Sequence, residues 1–333
     1  METTVQSSTP GAYAEELRVA IEAARRAGEI QRDRYERLER IVHKSEKDVV
    51  TEVDHLCEEA ILRTIREAFP DDHSLAEEGG ASHPSVSIAS KVASSTAPTP
   101  RRRPGRDDGR GHRKGRGRSG VARAGTVDPE ITSPEPAEPP ERLWVIDPLD
   151  GTVNYANGIP IFCTSVGFAA RGRPVLGVIH DPLRNELYSG VAGLGAWLDG
   201  VPIVMPAKEK LIDCVISLSL PGRGWALRER RIRRAVRISR VLGSAALQLA
   251  YVANGRFDAM VQAGGLSLWD LAAAGVIAEA AGATVTDADG GDWFDLRRAS
   301  RGTGVLAASP AHHETFRGML LPDPKKDAAA APV

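Results

Sequence analysis

A chain of 333 residues, 42% of them hydrophobic, can bury a large core, and its length fits two domains or one fold in two parts. The formal net charge of -1 argues neither for nor against any partner, no apolar run is long enough to span a membrane, and the opening METTVQSSTPGAYAEEL lacks the basic-then-apolar order of a secretory signal, so a cytoplasmic protein is expected. Cys57, Cys163 and Cys214 are odd in number and widely spaced, which excludes a disulfide framework or a zinc site and leaves three small buried residues.

After a disordered start at residues 1–12, the apolar positions Leu17, Ala20, Ile21, Ala24, Ala27, Ile30 and Leu38 have helical spacing and predict an amphipathic helix over 13–39. A polar turn and short strand follow, and Thr51 is placed to cap a second helix that runs to about Phe69, where Pro70-Asp71-Asp72-His73 breaks it. Asp54 then falls in the first turn, where a carboxylate offsets the helix dipole. A strand at 74–76 leads into Glu77-Glu78-Gly79-Gly80, read either as a solvated loop or as carboxylates with a task.

Composition changes over residues 81–140. Residues 85–100 are Ser/Ala/Pro-rich, 101–123 hold ten basic residues against two acidic, and 128–141 are Pro/Glu-rich, a pattern that cannot offset its ordering entropy and predicts a disordered insertion. A basic tract of this kind is read as a solvated segment, as a contact for RNA, or as a stretch translated out of frame from a GC-rich gene.

Residues 143–146 predict a buried strand that Asp147-Pro148 stops, because proline lacks the ladder donor. Asp147 and Asp150 then sit three apart across a turn. They are either a solvated Asp-Pro turn or a pair of oxygen ligands for a hard cation, and Gly151-Thr152, if they open a helix, present N–H groups to a phosphate. Segments 161–170, 174–179, 187–189 and 196–198, closed by Asp199-Gly200, predict an antiparallel meander. A strand at 211–220 and a basic helical or loop segment at 221–237 come next. Gly243-Ser244-Ala245-Ala246 opens a helix to Ala253; a strand at 258–262 precedes Trp269-Asp270, with Asp270 near the first turn of an alanine-rich helix that Gly282 ends. A strand at 283–286 follows. Alternation of strand and helix makes the second half α/β. The expected organisation is an N-terminal α+β subdomain at 13–200 that contains the insertion, a C-terminal α/β subdomain at 201–322, and a disordered tail at 323–333.

Glu77-Glu78, Asp147-Pro148-Leu149-Asp150-Gly151-Thr152 and Trp269-Asp270 with its alanine-rich helix, in that order, resemble the signature segments of the inositol monophosphatase family. Lys44 through Asp54 and Gly243 through Ala246 resemble two further segments, so the likeness covers nearly all of residues 13–320 outside the insertion. It implies a layered αβαβα sandwich of the sugar-phosphatase type and a Mg²⁺-dependent phosphoric monoester hydrolase using two or three ions. Carried over residue by residue, Glu77, Asp147 and the Leu149 carbonyl would hold one ion and Asp147, Asp150 and Asp270 another, with Asp147 bridging and Glu78 beside the site. Thr152 with Asp54 would orient the attacking water, with help from Glu77. Gly151, Thr152, Gly243, Ser244, Ala245, Gln262 and Asp270 would contact substrate.

Family members that prefer inositol usually carry a glutamate in the strand before the Trp-Asp pair. Counting places Gln262 or Ala263 there, and neither is a carboxylate. Inositol 1-phosphate heads the expected substrates, with histidinol phosphate, fructose 1,6-bisphosphate and a nucleotide 3′-phosphate as alternatives. The resemblance also implies a homodimer acting on a small phosphorylated polyol or sugar, with neither membrane nor nucleic acid as partner. From another class, a non-enzymatic regulatory protein would use the basic insertion to bind RNA.

Overall fold

The computed structural model describes residues 11, 13–37, 41–45, 48–82, 138–298 and 301–322. The expectations for the two ends, for most of the 81–140 insertion and for Leu38 fall outside the described residues.

Helix α1 (Ala14–Arg34) buries Val19, Ala20, Ala23, Ala24, Ala27 and Gln31, which recur every three or four residues and so share one face. It ends five residues before the expected 39, since Tyr35 turns extended at φ -58°, ψ 131°. The hairpin β1 (Ile41–Ser45) and β2 (Asp48–Thr51) leads to α2 (Glu52–Ala68). Thr51 caps α2 as the sequence predicts: its hydroxyl oxygen accepts from Val53 N at 3.1 Å, and Asp54 Oδ2 accepts from Thr51 N at 2.7 Å.

Strands β3 (His73–Ala76), β4 (Gly80–Ser82), β5 (Arg142–Asp150), β6 (Cys163–Ala170), β7 (Arg173–Asp181), β8 (Glu186–Val191), β9 (Gly195–Leu198) and β10 (Val201–Ile203) form one sheet in the order β10-β9-β8-β7-β6-β5-β3-β4. Only β3 and β5 pair in parallel; β6 to β9 are the expected meander, extended by β5 on one side and β10 on the other, and β4 pairs antiparallel with β3. One expectation is corrected here. Asp147-Pro148 does not stop β5, which continues to Asp150 through a bulge: Asp147 pairs with Ser165 and Asp150 with Cys163, so β5 carries one extra residue. Pro148 is tolerated because the interruption removes the need for its missing donor.

After the short helix α3 (Thr152–Ala156) and the meander, the second sheet takes β11 (Val215–Ser219), β12 (Ile238–Arg240), β13 (Ala259–Leu266), β14 (Thr284–Thr286) and β15 (Thr303–Ala308) in the order β12-β11-β13-β15-β14. Helices α4 (Ala226–Ala235), α5 (Ala245–Ala253), α6 (Leu268–Ala280) and α7 (Pro310–Leu320) complete the chain.

Three cores hold five layers together. Helices α1 and α2 cover one face of the first sheet through Ile61, Trp144, Ile146 and Phe168. Helices α5 and α6 lie between the sheets among Val145, Ile179, Met260 and Val305, and α4 and α7 cover the far face of the second sheet around Ile216, Ile232, Val261 and Phe316. The architecture is the layered α+β sandwich read from the sequence. Helix α6 reaches the first sheet closely because Gly167, Gly177 and Gly190, paired side by side on β6, β7 and β8, leave room for its backbone. Among the described residues no helix is long and apolar enough to cross a membrane.

Candidate active site

The acids read from the sequence arrive on four elements. Asp54 stands in the first turn of α2, and Glu77 follows the end of β3, where its backbone N donates to the Ile146 carbonyl at 3.2 Å. Asp147 and Asp150 flank the β5 bulge. Asp270 is the third residue of α6, where its Oδ2 accepts from the N-cap Ser267 N at 2.8 Å. Asp147, Asp150 and Asp270 each contribute one carboxylate oxygen to a group lying within 4.8 Å of one another. Together with Glu77, Leu149, Gly151 and Thr152 they line a cavity of about 330 Å³.

Each carboxylate is oriented by a different donor. Asp147 Oδ1 accepts from Leu149 N at 3.0 Å. Asp150 accepts from the Ser244 hydroxyl and from Ala245 N and Ala246 N at 3.1 and 2.8 Å, so the first turn of α5 holds it. The Thr152 hydroxyl lies 2.9 Å from both Asp54 Oδ1 and the Leu149 carbonyl, and its single proton serves one of them at a time. The Thr51 hydroxyl donates to the other Asp54 oxygen at 2.7 Å.

Burial is the first cause of the shifts at Asp54, Asp147, Asp150 and Asp270. It pushes Asp147 well above the usual carboxylate range, and the charges of Glu77, Asp150 and Asp270 add to that. Asp270 is pushed up to about 8, by burial and then by Asp150. Burial raises Asp150 against the opposing donors of Ser244 and α5, and takes Asp54 up to about 6 despite the Thr51 and Thr152 hydrogen bonds. Among the described residues lining the cavity, Arg301 is the only cationic side chain, against the four acids Glu77, Asp147, Asp150 and Asp270. Converging, desolvated carboxylates with backbone carbonyls beside them are the donor set of a hard divalent cation. The residues present fit such an ion.

The alcohol side is gathered less completely. Gly243, Ala245 and Gln262 line the cavity, as does Ser219 at the end of β11. Ser244 does not, contrary to the expectation: it is fully buried behind Asp150, because its hydroxyl is spent on that carboxylate. Gln262 is half-buried and its Nε2 donates to the Gly264 carbonyl at 3.1 Å. Ala263, the other position that counting allowed, is not part of the lining.

Several site residues escaped the sequence reading. Glu58 accepts from Glu78 N at 2.9 Å and so holds the turn that carries Glu77; its place one turn after Asp54, on the same buried face, was an available signal. Gln248 lines the cavity and accepts from Ser217 Oγ and Leu242 N at 2.9 and 2.8 Å. Asn154 ties α3 to the approach to α5, donating to the Leu242 carbonyl at 2.7 Å. Val153, Val241 and Arg301 also line the cavity, and no periodicity or motif marks them.

A family model described as the inositol monophosphatase family matches residues 12–320. Inositol monophosphatase 1 of Solanum lycopersicum is 30% identical over 313 residues, covering 92% of this chain and 94% of the relative. Nus factor SuhB of Pasteurella multocida is 32% identical over 284 residues, covering 83% and 86%. The crystal structure of extragenic suppressor protein suhB from Bartonella henselae superposes with a TM-score of 0.70 at 25% identity, covering 92% of this chain and 98% of that one. The chain therefore belongs to the inositol monophosphatase family, a family of metal-dependent phosphoric monoester hydrolases.

Proposed function

We propose that this protein is a Mg²⁺-dependent phosphatase of small phosphate monoesters, with inositol 1-phosphate as its first substrate. The observation that carries the reading is the meeting of Asp147, Asp150 and Asp270 within 4.8 Å in a cavity that also takes in Glu77 and Thr152. Glu77, Asp147, the Leu149 carbonyl, Asp150 and Asp270 would hold two or three ions. Bound cations neutralise charge on phosphoryl oxygens and acidify bound water. The chain's own part is positioning and proton transfer. Thr152, held against Asp54, offers its oxygen as acceptor to a water O–H and can pass its own proton to Asp54, whose pKa of about 6 suits a base near neutrality. Gly243, Ala245 and Gln262 face the alcohol. In place of a carboxylate, Gln262 offers an amide to sugar hydroxyls, which admits polyol and sugar phosphates beyond inositol. A cytoplasmic homodimer belongs to the same reading, supported by family membership and by the exposed apolar residues Leu194, Val201 and Val204 beside the edge strand β10.

The test is phosphate release across a panel of inositol, sugar, nucleotide and histidinol monophosphates, with Mg²⁺ or with EDTA, on size-separated protein. Activity is expected only with Mg²⁺, greatest on inositol 1-phosphate, in the two-chain fraction, and reduced by about 100-fold or more in Asp150→Asn. Equal turnover in EDTA, or in the variant, sinks the reading.

A further inference from the structure

Gln31 closes the buried stripe of α1 that otherwise reads Val19, Ala20, Ala23, Ala24 and Ala27, and it is fully buried. Its Nε2 lies 2.7 Å from the Pro148 carbonyl oxygen and 2.9 Å from Thr164 Oγ1. The amide orientation is fixed by chemistry, because turning it would set its oxygen against that carbonyl oxygen. Its Oε1 is buried with no hydrogen-bond partner among the described residues. A leucine or methionine at this position would fill the core without leaving an acceptor unpaired. The donor end of the side chain must therefore account for its presence.

The Pro148 carbonyl and the Leu149 N–H are opposite ends of one planar peptide unit. That N–H donates to Asp147 Oδ1 at 3.0 Å. The sheet ladder does not hold this unit, since it lies in the bulge between the Asp147–Ser165 and Asp150–Cys163 pairs. What grips it is the side chain of Gln31, assisted by the Thr164 hydroxyl at 3.4 Å. Gln31 is itself anchored by Tyr155, whose hydroxyl donates to the Gln31 backbone carbonyl at 2.7 Å.

We propose that Gln31 is a positioning residue for Asp147, acting through the 148–149 peptide. By holding the carbonyl end of that peptide from behind the sheet, it keeps the N–H end on Asp147 and fixes the carboxylate where it meets Asp150 and Asp270. The proposal rests on the reading that Asp147 holds a divalent cation.

The test is Mn²⁺ binding to the substrate-free protein, followed by electron paramagnetic resonance of the free ion, with thermal melting of each variant in EDTA. Gln31→Met keeps the volume and removes the donor. Thr164→Val removes the assisting hydroxyl and carries the test should Gln31→Met fail to fold. Ile61→Val, a large-to-small change in the same core layer, is the control for destabilisation alone. Gln31→Met is expected to weaken Mn²⁺ binding by about tenfold and Thr164→Val by a few fold, with Ile61→Val unchanged. At saturating Mn²⁺ the KM for the phosphate ester should stay constant in Gln31→Met while the Mn²⁺ needed for half-maximal rate rises. Unchanged binding in the donor-deleted variants, or an equal loss in Ile61→Val, overturns the role of Gln31 and leaves the metal reading standing. Failure of the unaltered protein to bind Mn²⁺ overturns both.

Discussion

At the level of single residues, the buried acids Asp54 and Asp270 reverse the usual dependence of stability on pH. Burial raises Asp54 to about 6 and Asp270 to about 8 in the folded chain, against about 3.9 for an unfolded aspartate. Over those intervals the folded state binds protons that the unfolded state has released. The stabilisation is therefore complete below about pH 4 and is lost as pH rises through the folded values of Asp54 and then Asp270. Paired acids elsewhere act in the opposite sense: Arg256 beside Glu186 holds that carboxyl below its usual range, so its contribution is present at neutral pH and lost on acidification. That pair is partly exposed and contributes little. In EDTA the melting temperature should fall between pH 5 and pH 9. Mg²⁺ should flatten that fall and raise the melting temperature more at pH 8 than at pH 5, because the ion binds only the folded, ionised cluster. Melting scans across pH with EDTA or Mg²⁺ check this, and a melting temperature that climbs from pH 6 to 9 in EDTA would contradict it.

At the level of elements, the position of Asp270 depends on how deeply α6 sits on the first sheet. A Cβ on Gly177 would lie 2.2 Å from the Ala273 carbonyl oxygen and 2.6 Å from its Cα, and one on Gly167 would lie 2.9 Å from Ala272 Cβ. Backbone cannot yield as a side chain does, so Gly177→Ala must lift the helix. We expect a loss of about 1–3 kcal/mol from overpacking, together with a higher Mg²⁺ requirement as Asp270 withdraws. Gly318→Ala on α7, where a Cβ meets nothing within 4 Å, should be neutral or slightly stabilising. Urea melts measure both, and a Gly177→Ala chain as stable as its parent refutes the argument. This glycine ladder was not legible in the sequence, because it exists only once β6, β7 and β8 pair in register. Helices α1, α2 and α6 were legible through apolar spacing and through Thr51 and the Trp269-Asp270 segment. Strand β15, six consecutive buried residues without alternation, gave no period to read. The acids of the site were legible because each lies in a local motif. Gln31 was not, since its partner lies 117 residues away, and Glu58 left only its spacing from Asp54 as a signal, its partner lying 20 residues away.

At the level of the whole molecule, the site forms where the C-terminal ends of β3 and β5 in the first sheet meet the starts of α5 and α6. The chain joins β4 to β5 through residues 83–141, and among the described residues β5 is anchored from other elements. Arg142 Nε donates to Asp72 at 2.6 Å and its Nη1 donates to Glu16 at 2.8 Å, while Trp144 Nε1 donates to Asp72 at 2.8 Å. The Arg142 guanidinium also stacks over Phe69 and Phe168 at 4.9 and 4.8 Å. Ser82 and Trp144 both pair with Ser74, one on each side of β3, so their backbones are two strand spacings apart, about 10 Å. A short linker spans that distance. Replacing residues 85–138 with about six glycine and serine residues should leave Mg²⁺-dependent phosphate release within about twofold of the full chain. Stability should rise by at most about 2 kcal/mol, since loop-closure entropy grows only with the logarithm of length. Denaturant melts and phosphate release on the shortened chain measure the two effects. Intact folding with lost turnover would mean that the replaced segment contributes to catalysis; unfolding would mean that β5 needs more than the Arg142 and Trp144 anchors to stay in the sheet.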